Sequence, residues 1–338
     1  MKYFEAHPVT EYKDANGETP EILIVDGNRT GGKTTAFSRL LVDEYLTSGK
    51  KFFIIKRYKN ELKDIANAFF NDIRELFFEG HVMTSKSHAD GAYVELFLDK
   101  KSCGYASALT MIAKLKQYSH IFSDVENMFF DEYQDENGIY LPDEVRLFHS
   151  LHTTVARGHG HAVRFVPVYM ASNSISIFNP YYRVFGLTSK INSKTKVYRG
   201  EGFVLLRLTI KDVAAEQRKS AFNRALSGSG YLDSAIDNSF LNDDNFNVEK
   251  RSDVGKALFG IVNGDDFYSV YFSGEEYYVK KGGDRQIPTV FGVKQKDRAG
   301  NAHAISGIYL SRLRVEYAEA NVFFETPEAK HVFIELIA

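Results

Sequence analysis

Two hydrophobic rhythms divide the chain. In the first, short continuous apolar runs alternate with stretches whose apolar residues recur every three or four positions, the pattern of parallel strands covered by helices. Ile22 to Val25 predicts a strand, and Phe37, Leu40, Leu41 and Tyr45 predict a helix over 33–47. A second predicted strand, Phe52 to Lys56, precedes a helix through Leu62, Ile65, Phe69, Ile73 and Leu76. A hairpin near Tyr93 to Leu98, a strand at Met128 to Phe130, a helix around Asp143 to Thr154 and a strand at Val163 to Ala171 extend the same α/β domain, expected over 1–207. Over 208–250 the chain turns charged and helical, broken by Ser227-Gly228-Ser229-Gly230, as in a helical linker subdomain. Over 251–338 the period becomes two. Ala257 to Val262, Phe267 to Phe272 and Tyr277 to Lys280, separated by Asn263-Gly264-Asp265-Asp266 and Ser273-Gly274, predict a β-meander closed by a helix around Leu310 to Ala320.

The loop between the first predicted strand and helix carries chemistry. Gly27-Asn28-Arg29-Thr30-Gly31-Gly32-Lys33-Thr34 satisfies G-x-x-x-x-G-K-[ST] in the context a phosphate-binding loop needs. Glycines let successive N–H groups converge on an anion, Lys33 is placed to reach the β- and γ-phosphates, and Thr34 offers a hydroxyl to Mg²⁺. The following helix adds its positive N-terminal dipole. The expected ligands are ATP and Mg²⁺.

Glu126-Asn127-Met128-Phe129-Phe130-Asp131-Glu132 puts two carboxylates at the end of a buried strand beside that loop. Asp131 is expected to hold Mg²⁺ and Glu132 to polarise an attacking water, which a hydrolytic site needs and a kinase does not. Asn173 ends the next strand, where its amide can sense a γ-phosphate and hold the water. Arg157 precedes Gly158-His159-Gly160, a loop suited to presenting an arginine to a neighbouring subunit's nucleotide. Lys56-Arg57-Tyr58-Lys59 closes the second strand on the same sheet edge, where Lys56 is expected to meet phosphate or DNA.

Composition narrows the reading. With 338 residues the chain exceeds one usual core, so more than one domain is expected. No apolar run approaches the roughly 18 residues of a membrane span. Met1 to Asp14 is charged rather than signal-like, so a cytoplasmic protein with no membrane partner is expected. A net charge of -2 excludes binding of nucleic acid by bulk positive charge. The part from Leu208 onward, with 16 basic and 19 acidic side chains, must use local patches. The single cysteine, Cys103, allows neither an internal disulfide nor a zinc site. His152, His159 and His161 lack acidic or cysteine ligands at zinc spacing. The absence of a G-x-S-x-G elbow argues against covalent nucleophilic catalysis.

Taken together these segments resemble the φ29-like podoviral DNA-encapsidation proteins, small packaging ATPases related to terminase large subunits. The resemblance is carried by the P-loop, Lys56-Arg57-Tyr58-Lys59-Asn60-Glu61-Leu62, Phe130-Asp131-Glu132, Leu141-Pro142-Asp143-Glu144-Val145 and Thr154-Val155-Ala156-Arg157. It continues through Ser172-Asn173, Asn179-Pro180-Tyr181-Tyr182, Gln217-Arg218-Lys219, Asp237-Asn238-Ser239-Phe240 and Glu249-Lys250-Arg251-Ser252, and so covers most of 27–252.

The resemblance implies an ASCE-type P-loop domain with helices on both faces of a mostly parallel sheet. It also implies a β-rich, RNase H-like C-terminal domain that has lost its nuclease acids. It further implies a homomeric ring, a pentamer, working in the cytoplasm of an infected bacterial host. That ring docks on the portal of a procapsid and drives double-stranded DNA through its centre, with a structural RNA at the vertex as a further partner to consider. Lys33, Thr34, Asp131 and Glu132 fall on the family's ATPase residues, Arg157 on its trans-acting arginine finger, and Lys116 near a lysine used in trans. In the C-terminal domain Lys280, Lys281, Arg285, Lys294 and Lys296 form two basic patches able to track phosphates. Asp265 and Asp266 lie in a predicted turn rather than a two-metal cluster. Two rival readings are a terminase large subunit with an active nuclease, and a nucleotide-dependent scaffold or switch without sustained turnover.

Overall fold

The structure is a computed structural model that describes residues 3–136, 138–157, 164–177, 179–187, 190–191, 195–225, 247–283, 285–298, 300–319 and 321–337. Gly158 to Val163, Ser227 to Gly230, Asp237 to Phe240 and Asp284, all used in the sequence reading, lie outside the described residues. The chain forms two compact units, Met1–Asn242 and Asp243–Ala338.

In the first unit the strands are β1 (Ile22–Gly27), β2 (Lys51–Lys56), β3 (Met83–His88), β4 (Tyr93–Leu98) and β5 (Lys101–Ala108), followed by β6 (Val125–Asp131), β7 (Val168–Asn173), β8 (Val197–Arg199) and β9 (Phe203–Leu208). Among the described residues they form one sheet in the order β3-β4-β5-β2-β6-β7-β1-β9-β8. The six central strands, β5 to β9 in that order, are parallel, and β3, β4 and β8 pair antiparallel at the edges. The central strands carry continuous apolar runs because both faces are covered; in β2 the four residues Phe52, Phe53, Ile54 and Ile55 are all buried.

One face is covered by α1 (Lys33–Ser48) and α2 (Ile65–Phe77). The other is covered by α3 (Ile112–Leu115), α4 (Glu144–Val155) and α5 (Pro180–Val184). The expected α/β domain with helices on both faces is therefore present. Phe37 anchors α1, its ring lying 5.6 Å from Phe4, 5.4 Å from Phe129 of β6 and 5.3 Å from Tyr169 of β7. Helix α1 ends where Gly49 takes φ 75° and its N–H reaches the Tyr45 carbonyl, a left-handed stop that favours glycine.

Two details differ from the sequence expectation. Strand β7 starts at Val168 rather than Val163, because Pro167 has no N–H for a ladder bond. Strand β7 also lies between β1 and β6, so the acidic strand is one removed from the P-loop strand, with Asn173 between them. The described start of the predicted linker, α6 (Lys211–Lys219), belongs with the first unit, where the Ile210 N–H donates to Asn28 Oδ1 at 2.9 Å and Gln217 Nε2 donates to Thr30 Oγ1.

The second unit holds β10 (Lys256–Asn263), β11 (Asp266–Ser273), β12 (Glu276–Lys281), β13 (Val290–Gly292), β14 (Ala302–His303) and β15 (Val322–Phe324), in the order β14-β13-β10-β11-β12-β15. Strands β10, β11 and β12 form the predicted antiparallel meander, and β13, β14 and β15 add in parallel. The mixed sheet agrees with the expectation of a smaller β-rich C-terminal domain. Helices Gly307–Ala318 and Pro327–Ile337 accompany it, and the second buries Val332, Phe333 and Leu336 in the core. No helix among the described residues is long and apolar enough to cross a membrane.

Candidate active site

The loop from Gly27 to Thr34 folds as its spelling requires. A Cβ on Gly27 would lie 2.8 Å from the carbonyl oxygen of Leu208, so only glycine lets β9 pass there. Gly32, at φ 85°, caps α1 and delivers Lys33 into the loop. The buried Lys33 ammonium donates to the carbonyls of Gly27 at 3.1 Å and Asn28 at 2.8 Å, and to Asn173 Oδ1 at 3.2 Å. Burial lowers its pKa to about 8, against the pull of Asp26 and Asp131. Arg29 is ion-paired with Glu136, across the loop that follows β6.

Thr34 Oγ1 donates to Asp131 Oδ1 at 3.0 Å. Burial lifts the Asp131 carboxyl to about 6, and the Lys56 ammonium is the first of the charges opposing that rise. Lys56 therefore acts on Asp131. A hydroxyl and a carboxylate side by side are hard oxygen donors suited to Mg²⁺, so the residues fit the ion that the loop predicts.

Glu132 is exposed and adopts φ 55°, a left-handed conformation that costs a non-glycine residue of order 1 kcal/mol. Arg57 holds that turn. Its Nη1 donates to the Glu132 carbonyl at 3.4 Å and its Nη2 to the Tyr133 carbonyl at 2.7 Å. Its other donors grip Glu144 at 3.0 to 3.1 Å, and Tyr181 donates to the same carboxylate at 2.8 Å. Both charges are buried, Arg57 6% and Glu144 2% exposed. Sequence reading took Arg57 as part of a basic cluster and did not connect it with Glu144.

A cavity of about 860 Å³ opens over these groups. It is lined by Lys33, Thr34, Asp131, Glu132 and Asn173, and also by His7, Arg39 and Phe77, with Tyr3 lying against Gly32 of the loop. The Arg39 guanidinium lies 4.3 Å above the Phe77 ring. The N-terminal segment of the wall is tied to the loop by Phe4 N–H donating to the Gly31 carbonyl at 3.0 Å. The volume suits a whole nucleotide rather than a phosphate alone, and this part of the wall carries no signature in the sequence.

Other expected residues lie elsewhere. Arg157 and Lys116 are both exposed and neither lines this cavity. They share an edge, since Arg157 Nη1 donates to Ser119 Oγ at 3.2 Å and Ser119 lies in the 3₁₀ segment Lys116–Phe122. In the second unit Lys280 pairs with Glu325 at 3.7 Å, and Lys281 with Asp266 at 3.0 Å and Glu328 at 3.5 Å. Arg285 lies over the Phe267 ring, Lys294 opens the short turn at Gln295–Asp297, and Lys296 is exposed on it. His152 contacts the Val166 carbonyl at 2.9 Å, and burial pushes the Cys103 thiol up to about 12, where it is unreactive.

The chain is similar to known proteins. The chain is 32% identical over 243 residues to a DNA packaging protein of Bacillus phage B103, covering 70% of each chain. It is 27% identical over 320 residues to a DNA packaging protein of Bacillus phage PZA, covering 92% of each. It shares its fold with a chain of the bacteriophage Phi-29 viral genome packaging motor assembly, at TM-score 0.65 and 23% identity over 99% of both chains. The family model for the podovirus DNA encapsidation protein (Gp16) matches residues 19–335, and the chain belongs to that family.

Proposed function

We propose that this chain is an ATP-hydrolysing motor that moves double-stranded DNA into a procapsid. The observation that carries the proposal is the convergence of Lys33, Thr34, Asp131, Glu132 and Asn173 on one nucleotide-sized cavity in a chain of the encapsidation family. Lys33 and the loop N–H groups would bind the β- and γ-phosphates, while Thr34 and Asp131 would hold Mg²⁺, which supplies charge neutralisation on the phosphates. Glu132, exposed at the cavity wall, would orient a water for in-line attack on the γ-phosphorus. The Asn173 amide, shared with Lys33, would report the γ-phosphate to the end of β7.

Arg157 and Lys116, standing away from the cavity of their own subunit, would act on a neighbour's nucleotide in a homomeric ring, here taken as a pentamer. That ring would sit at the portal vertex in the host cytoplasm, with a structural RNA as a further component. DNA contact would run chiefly to the backbone, because a packaging motor must accept every sequence. Lys281, Arg285 and Lys296 are the exposed C-terminal cations of that reading among the described residues.

The test is ATP turnover with and without double-stranded DNA at several protein concentrations. Native turnover should rise with both. Glu132→Gln should lower it by about 100-fold or more and Arg157→Ala by about 1000-fold or more. Unchanged turnover in Arg157→Ala would remove the shared-site ring, and absence of turnover even with procapsids would favour a scaffold or switch.

A further inference from the structure

Behind the cavity lies a buried polar cluster that the hydrolytic chemistry does not use. Its hub is Gln134, 3% exposed. The amide orientation is determined by its partners. Oε1 accepts from the main-chain N–H groups of Ile175 and Ser176, both at 3.1 Å, and Nε2 donates to Asp26 Oδ2 at 2.8 Å. A backbone N–H only donates and a carboxylate only accepts, so the flipped amide would face a like group on both sides. The Gln134 N–H also donates to Ser172 Oγ at 3.3 Å. The hydroxyls of Tyr133 and Tyr182 donate to the remaining positions of the Asp26 carboxylate.

Each partner adjoins a residue of the site. Asp26 immediately precedes Gly27, Ser172 immediately precedes Asn173, Ile175 and Ser176 follow it, and Gln134 itself lies two residues beyond Glu132. One side chain thus joins the ends of β1, β6 and β7. We propose that Gln134 is a positioning residue of the ATPase, a buried two-way link that keeps Glu132 and Asn173 in register with the phosphate-binding loop. The inference rests on the roles given above to Glu132 and Asn173. The side chain is suited to it chemically. An ionised glutamate of the same shape cannot donate to the Asp26 carboxylate, and methionine can neither donate to Asp26 nor satisfy two buried N–H groups. The phosphates themselves are held by Lys33 and the loop, which Gln134 does not touch, so loss of the link should act on turnover before nucleotide affinity.

The test uses the full chain with Mg²⁺-ATP, measuring equilibrium affinity, DNA-stimulated turnover and melting temperature. Gln134→Met and Gln134→Glu should each lower kcat about ten-fold or more while ATP affinity changes by less than about three-fold. Tyr182→Phe removes a bond from the same carboxylate but leaves the link, and should keep turnover near native while lowering the melting temperature. The double variant Asp26→Asn with Gln134→Glu reverses the donor and acceptor between residues 26 and 134 and keeps an acceptor for Ile175 and Ser176. It should regain most of the turnover lost in Gln134→Glu alone. The inference is overturned if the Gln134 variants turn over like the native chain, if Tyr182→Phe loses as much turnover as they do, or if the double variant gives no recovery. Glu132→Gln run alongside separates the two levels, since full turnover there would sink the hydrolytic reading itself and not merely the link.

Discussion

A carboxylate proposed to orient a water is useful only where its backbone puts it, and Glu132 sits at φ 55°, where an unbranched L-residue does not rest unaided. The Arg57 guanidinium supplies the restraint through the carbonyls of Glu132 and Tyr133, and Glu144 holds the guanidinium. Removing one member of a buried pair leaves the other charge unpaired. Arg57→Ala should therefore cost about 3 to 5 kcal/mol of stability, read as a fall in the urea midpoint. Arg57→Lys should recover only part, because an ammonium cannot span the carboxylate and two carbonyls together. A midpoint unchanged in Arg57→Ala would mean that the pair is solvated. Asp26 gives a second prediction at this scale. Burial lifts its carboxyl from 3.8 to about 6, against bonds from Tyr182 and Tyr133. The folded unit thus favours the protonated form, and this contribution is complete below pH 3.8 and lost as pH rises through about 6. Relative to Asp26→Asn, the native chain should lose on the order of 3 kcal/mol between pH 4 and 7. Parallel melting profiles for the two proteins across that range would show that Asp26 does not titrate in the fold.

At the scale of elements, the site depends on how firmly α1 is seated, because the helix carries Lys33 and Thr34 at its first turn. Its anchor is Phe37, fully buried among Phe4, Phe129 and Tyr169. Phe37→Ala should cost about 3 to 5 kcal/mol, and the cavity should weaken ATP binding as well, since the first turn loses its support. Titration of ATP into the variant below its melting temperature checks this; native affinity would show that the loop holds itself. The sequence made this element legible because strand, glycine loop and helix are constrained together, each spelling out its part. The acidic strand was legible for the same reason. Arg57 and Gln134 were not, because their partners stand far along the chain, Glu144 at 87 residues from Arg57 and Asp26 at 108 from Gln134. The place of β7 between β1 and β6 is decided by crossovers, which no local periodicity encodes. In the second unit the three long meander strands showed their alternation, whereas β13, β14 and β15, of three, two and three residues, are too short to display a period.

At the scale of the whole molecule, the chain gathers Lys33, Thr34, Asp131 and Asn173 on one cavity but keeps Arg157 and Lys116 off it, on an edge they share through Ser119. If each active site is completed by its neighbour, the two halves of the machinery are separable between chains. A Lys33→Ala subunit has no working cradle yet still presents its arginine, and an Arg157→Ala subunit has a cradle but no arginine to offer. Each alone should be inactive for different reasons. Mixed in one ring, every junction at which Lys33→Ala offers its Arg157 to an Arg157→Ala cradle regains a complete site. Turnover of the mixture should then exceed that of either variant and pass through a maximum at intermediate ratios. The arginine contribution of about 1000-fold or more makes even a few restored junctions measurable. A mixture that never exceeds its more active component, under conditions where light scattering shows co-assembly, would place Arg157 in service of its own subunit. The edge it shares with Lys116 would then be a structural surface.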